Sequence, residues 1–160
     1  MKNASADTGL DRVDKEILRV LQDEARISNV ELGRRVHLSP PAVHARVRQL
    51  EELGYILGYR AVLDREKLGF DMLCIVHVNL QIHELAMVAQ LRETILSMPE
   101  VLECYSVTGA YDYIVKLLVR NRHELERFLM QRLMPLPGVA RVQTSLVLGE
   151  VRGVANVPVD

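Results

Sequence analysis

Apolar residues recur at helical spacing in the first third of the chain and at strand spacing over much of the rest. Val13, Ile17, Val20 and Leu21 line one face of a helix. Asp11-Arg12-Val13-Asp14 opens it with acids at its positive end, and Asp23-Glu24-Ala25 closes it. Ser28-Asn29-Val30-Glu31 has the form of a capping box, in which the Ser28 hydroxyl accepts from the third amide and Glu31 reaches back to the Ser28 amide. The short helix it starts carries Leu32 and Val36 and stops at His37-Leu38. Ser39 offers a second N-cap, and Pro40 and Pro41 fall where helical amides have no intrahelical partner. Val43, Val47 and Leu50 then form a buried stripe, with Gly54 as a C′ glycine. Two capped helices around a turn of about three residues predict a helix-turn-helix inside a three-helix unit.

Residues 55–63, YILGYRAVL, read as extended: either the strand of a winged variant or a linker strand. The charged turn DREKLG, residues 64–69, follows, so the expected domains are 10–63 and 70–151. After Phe70 the period changes. Met72, Cys74, Val76, Val78 and Leu80 alternate with Leu73, Ile75, His77 and Asn79, a strand apolar on both faces. Leu85, Val88, Leu91 and Ile95 predict a helix ending before Pro99. Two strands, 101–108 and 111–119, meet at a tight turn at Gly109-Ala110. Leu125, Phe128, Leu129 and Leu133 give a second helix, and 139–148 the last strand.

The class is therefore α+β: an N-terminal (winged) helix-turn-helix, then a ferredoxin-like βαββαβ domain with both helices on one face of an antiparallel sheet. The other face carries Leu73, Ile75 and His77, and an uncovered apolar face marks an interface. This predicts a homodimer by sheet-to-sheet packing, its two-fold axis presenting two helices to a pseudo-palindromic site. His77 reads as a satisfied interface histidine rather than a ligand.

Charge changes the picture by its placement. The net charge is −1, so nucleic-acid affinity cannot rest on overall basicity. Between Arg26 and Leu50, however, Arg26, Arg34, Arg35, Arg46 and Arg48 stand against Glu31 alone. Opposite the stripe of the second capped helix lie Pro41, Ala45, Arg48 and Gln49, with Ala42 and His44 on the shoulders. Small residues let the backbone approach a groove floor, and Arg48 and Gln49 suit guanine and adenine edges. Arg34, Arg35 and Arg46 flank this face as candidate phosphate holders, with Ser39 at the helix start. The competing reading is a solvated helix kept soluble by its arginines; the double cap around a short turn favours double-stranded DNA.

Forty-nine per cent apolar residues support a real core. No apolar run of about 18 residues or more predicts a membrane span, and MKNASADTGL reads as a polar tail without a signal segment. Cys74 and Cys104 stand apart, each in a strand-like run, so neither a metal nor another cofactor is expected and a reducing cytoplasm fits.

The chain from Leu10 to about Val151 resembles the Lrp/AsnC family, the feast/famine transcriptional regulators. The matching features are LDxxDxxIL at Leu10, Asp11, Asp14, Ile17 and Leu18, the run RISNVEL from Arg26, the LSP…RVRQLE run from Leu38 to Glu51, and the G-x-Y-D turn at Gly109, Tyr111 and Asp112. The resemblance implies a cytoplasmic DNA-binding regulator, dimeric and often assembled further, that commonly senses a free amino acid. It places the effector at Thr108, Gly109, Ala110, Tyr111 and Asp112. Exposed amides there can hold a carboxylate, and Asp112 can pair with an α-amino group. Many members carry a polar or acidic residue where this chain has Ala110, and Pro41, His44 and Ala45 fall at variable positions, so neither the effector's identity nor the operator sequence carries over. Without the resemblance, residues 109–112 read as a hairpin turn with a packed tyrosine and a capping aspartate.

Two other readings compete. A DNA-compacting architectural protein would share the fold without a working effector site. A tetrapyrrole decarboxylase-like enzyme would need His44, His77, His83 or His123 in a catalytic or haem-binding role, yet these histidines are scattered and form no catalytic constellation. The expected protein is not an enzyme.

Overall fold

The computed structural model describes residues 9–81, 84–151, 153 and 156–159; the polar tail 1–8 and His83 lie outside the described residues. The chain divides into two compact units, Met1–Val62 with Arg152–Asp160, and Leu63–Val151.

The first unit contains α1 (Arg12–Asp23), α2 (Asn29–Val36) and α3 (Pro40–Glu52). Ile17, Leu32, Val36, Val43 and Leu50 are buried together, with Val13, Val20, Leu21 and Val47 packed against them. Full burial of each such side chain stabilises by about 1.5–3 kcal/mol, so three short helices that would fray alone hold one another. α1 begins with a reciprocal capping box: the Asp11 carboxylate accepts from the Asp14 amide and the Asp14 carboxylate from the Asp11 amide. At α2 only half of the expected box forms. The Ser28 hydroxyl accepts from the Glu31 amide, but the Glu31 carboxylate turns to Arg34 and Arg35. Ser39 takes the N-cap position of α3 without a side-chain cap bond. Gly54 (φ 76) closes α3 in a Schellman motif, its amide donating to Glu51 while Tyr55 donates to Leu50.

The turn between α2 and α3 is tight enough to exclude a side chain. A Cβ on Gly33 would lie 2.6 Å from the Leu38 carbonyl oxygen. His37 makes the reversal in the left-handed region at φ 57, and both its amide and that of Leu38 donate to Gly33.

Residues 56–64 form no regular secondary structure and, among the described residues, pair with no strand, so the wing allowed by the sequence does not form within the chain. Leu57, Val62 and Leu63 are 95, 89 and 68 % exposed there. The Tyr59 hydroxyl donates to Glu51 at the end of α3; burial and this bond push its pKa up to about 12. The segment 156–159 returns to the first unit along the outer side of α1. Gln22 both donates to the Val157 carbonyl (3.1 Å) and accepts from the Val157 amide (2.6 Å), and Asn156 donates to Asp23.

The second unit runs β1 (Met72–Leu80), α4 (Leu85–Leu96), β2 (Val101–Ser106), β3 (Tyr113–Val119), α5 (Arg122–Arg127) and β4 (Val139–Leu146). The antiparallel sheet has the order β2-β3-β1-β4, which is the ferredoxin-like topology. Cys74, Val76, Val78, Tyr113, Val115, Leu117 and Val119 point from the central strands into a core closed by Leu91 and Ile95 of α4 and by Phe128 and Leu133. α5 does not continue as an ordinary helix. Phe128–Leu133 is π-helical, which brings Phe128 and Leu133, five residues apart, to the same core.

The sheet's opposite face is mixed rather than wholly apolar. Leu73 pairs with Leu118, Ile75 with Lys116 and Ser145, and His77 with Ile114 and Gln143. Lys116 also forms an ion pair with Glu103 of β2. The β2–β3 connection is wider than the expected two-residue turn: strand pairing stops at Ser106 and Tyr113, and Val107 donates to Asp112 across the loop.

Candidate nucleic-acid interface and effector loop

On α3 the side away from Val43 and Leu50 is open. Pro41, His44, Ala45, Arg48 and Gln49 are exposed, as is Ser39 before them, and Ala42 is half-buried. The Arg48 side chain is 71 % exposed with its Nε on Glu52 at 2.8 Å, an i, i+4 pair worth about 0.3–0.5 kcal/mol that a phosphate or base edge can displace. Arg34 is 76 % exposed and held only loosely by Glu31 at 3.3 Å.

The other two arginines are more committed. Arg35 makes a two-pronged contact to Glu24 at 2.9 and 3.0 Å and reaches Glu31 at 3.6 Å; hydrogen bonding to Glu24 is the main reason its pKa is raised. Arg46 is half-buried, and its Nη1 bridges Asp11 at 2.6 Å and Asp14 at 2.7 Å. Its pKa is raised chiefly by the hydrogen bond to Asp14 and then by that to Asp11. Asp11 is lowered, first by the Asp14 backbone amide and then by Arg46. Asp11 and Asp14 were read from sequence only as acids at the helix start; neither their reciprocal cap nor the arginine from another helix was read there.

In the second unit, the loop holding Thr108, Gly109, Ala110, Tyr111 and Asp112 is built against β1. The Asp112 Oδ2 accepts from the Leu80 amide at 2.8 Å, where a register irregularity at Asn79/Leu80 interrupts pairing between β1 and β4. Asn79 donates to the Ala110 carbonyl at 2.7 Å. Tyr111 packs on His77 with ring centroids 4.4 Å apart and donates its hydroxyl to Gln143. Thr108, Gly109 and Ala110 are exposed, and among the described residues no acceptor within the chain meets their amides. The loop thus combines a braced base at Tyr111 and Asp112 with an exposed backbone rim. Asn79 and Gln143 belong to this setting and carried no signal in the sequence, because β1 and β4 bring them there from remote positions.

Of the two thiols, Cys74 is buried and Cys104 half-buried, and burial pushes each pKa up. Among the described residues, no three His, Cys, Asp or Glu side chains are grouped to hold a metal ion.

A helix-turn-helix unit joined to a ferredoxin-like unit is the architecture of a two-domain DNA-binding regulator. Residues 10–56 match the family described as winged helix-turn-helix DNA-binding, and residues 73–154 match the Lrp/AsnC ligand binding domain. The chain belongs to the Lrp/AsnC family of transcriptional regulators, and it is a regulator rather than an enzyme. It is 35 % identical to the transcriptional regulator AzlB of Bacillus subtilis over 94 % of this chain and 96 % of that protein. With the leucine-responsive regulatory protein of Escherichia coli K12 it shares 38 % identity over 89 % of this chain and 87 % of that one. A Neisseria meningitidis transcriptional regulator solved as its L-Met complex has a TM-score of 0.89 at 32 % identity, covering 93 % of this chain and 96 % of its own. Escherichia coli AsnC has a TM-score of 0.83 at 26 % identity, covering 91 and 97 %.

Proposed function

We propose that this regulator reads a specific operator through the outer face of α3 and that an amino acid, or a related small molecule, modulates its DNA binding or assembly. Arg48 and Gln49 contact base edges, Pro41, Ala42, His44 and Ala45 line the approach, and Ser39, Arg34 and Arg35 face phosphates. The observation that carries this reading is the exposure of Arg48 and Gln49 on a helix whose other side is buried. Phosphate neutralisation makes binding weaken steeply with salt, with a slope of about −0.9 per phosphate contacted.

The effector is assigned to residues 108–112. The exposed amides suit a carboxylate, and the likeness to a regulator solved with L-Met supports an amino acid. Regulation requires the effector to prefer one DNA-bound or assembled state, since equal binding to both shifts nothing. A homodimer, building into higher assemblies, is supported by the half-buried Ile75, Ile114 and Leu118 on the sheet and by the exposed Leu57, Val62 and Leu63. The proposed compartment is the cytoplasm; among the described residues no helix is long and apolar enough to cross a membrane.

The test is a gel-shift series on the protein's own promoter region against random DNA at moderate salt, with and without pooled amino acids, followed by thermal-shift screening of each amino acid. Discrimination between the two DNAs, together with an amino acid that raises the melting temperature and alters the shift, is the expected result. Equal affinity for both DNAs would remove the operator reading, and no thermal or gel response to any amino acid would remove the effector reading.

A further inference from the structure

Asp11 and Asp14 divide their oxygens in a way that helix capping does not require. Asp11 gives Oδ1 to the Asp14 amide and Oδ2 to Arg46; Asp14 gives Oδ2 to the Asp11 amide and Oδ1 to Arg46. A serine or threonine caps a helix start about as well as an aspartate does, but a hydroxyl has no second oxygen for an arginine. Two aspartates therefore do a second job. Arg46 stands about 60° around α3 from Val43, on the inner shoulder rather than the outer face. Its side chain is 33 % exposed, against 71 % for Arg48, and its partner Asp14 is 18 % exposed.

We infer that Arg46 is a positioning residue for operator recognition: bridged by one nitrogen to Asp11 and Asp14, it fixes the rotation of α3 on the start of α1 and contacts no phosphate. The inference rests on the reading of α3 as the base-contacting helix. Apart from this bridge, α3 is held on α1 and α2 largely by Val43, Val47 and Leu50, and apolar contact is non-directional. Charge-assisted hydrogen bonds have direction. Turning α3 by about 20° would carry side-chain tips about 6 Å from its axis some 2 Å sideways, which is enough to break a hydrogen bond. Arg48 and Gln49 follow Arg46 by two and three residues, so they move with it.

The experiment uses the full chain and two duplexes, one enriched by the wild-type protein from a random-sequence pool and one scrambled, titrated over a salt series at a temperature where every variant is folded by circular dichroism. Arg46→Met is expected to lower the ratio of specific to scrambled affinity about tenfold, within the range for coupled neighbours, while leaving the salt slope unchanged. A purely structural role would lower the melting temperature and leave that ratio alone. Arg46→Lys restores the ratio, because a single ammonium can take the place of the bridging nitrogen. Asp14→Asn also lowers the ratio, although deleting an acid ordinarily strengthens DNA binding, and combined with Arg46→Met it costs little more than either alone. A salt slope reduced by about one for Arg46→Met with the ratio intact, or Asp14→Asn tightening both duplexes, overturns the inference. If Arg46→Met does not fold, Asp14→Asn and Arg46→Lys decide on the same ratio. Arg48→Ala separates the two readings: no loss of specificity there sinks α3 as the reading helix, whereas a loss there with Arg46→Met unaffected sinks only the positioning role.

Discussion

Gly33 illustrates how a single hydrogen fixes the geometry of the helix-turn-helix. The atom a Cβ would meet at 2.6 Å is a backbone oxygen, so no rotamer change relieves the clash. Gly33→Ala is expected to destabilise the first unit by about 1–3 kcal/mol, as overpacking typically does, read as a lowered urea midpoint with the second unit unaffected. Asp11 makes a prediction about pH. Its folded pKa lies below its ordinary value of 3.8, held there by the Asp14 amide and Arg46. The stability it contributes is therefore fully present above the unfolded value and is lost as pH falls through the lowered folded value. Urea midpoints of wild type and Asp11→Asn are expected to differ at neutral pH and to converge below the unfolded value as acid protonates the carboxylate; a gap that widens in acid would contradict this.

Among the elements, β1 depends on a neighbour outside its own ladder. Where pairing with β4 slips at Asn79/Leu80, the Leu80 amide is taken by Asp112. Asp112→Ala leaves that part-buried amide without its acceptor and is expected to cost about 1–3 kcal/mol in urea unfolding; Asp112→Asn, which keeps an oxygen, costs less. The stripes of α1 to α3 and the alternation of β1 were legible because a local period decides which side is buried. The helix starts at Asp11 and Ser28 and the stop at Gly54 were legible for the same reason. The π-helical stretch was not, because its i, i+5 register answers to the position of the sheet beneath Phe128 and Leu133. Nor was the widened loop, whose breadth follows from Asp112 serving β1 and Tyr111 stacking on His77. On α3, exposure of Arg48 and Gln49 followed from helical period alone, while the engagement of Arg46 depended on residues 32 and 35 positions away.

At the scale of the molecule, the division of labour follows the charge. A net charge of −1 leaves no general attraction to nucleic acid, so the arginines between Arg26 and Leu50 must act locally. Those that are loosely held, Arg34 and Arg48, are the ones whose present partners cost least to replace. The more strongly committed, Arg35 and Arg46, join α2 and α3 to α1. The segment 156–159 bears on the whole in another way. By its contacts with Gln22 and Asp23 the first unit consists of two stretches of sequence, and the second is spliced between them like a guest between the covers of a book. The later attachment rests on exposed hydrogen bonds of about 0.5–1.5 kcal/mol each, so it unfastens at small cost. Gln22→Ala should leave both cores folded while the Val157 amide exchanges its hydrogen at close to the unprotected rate.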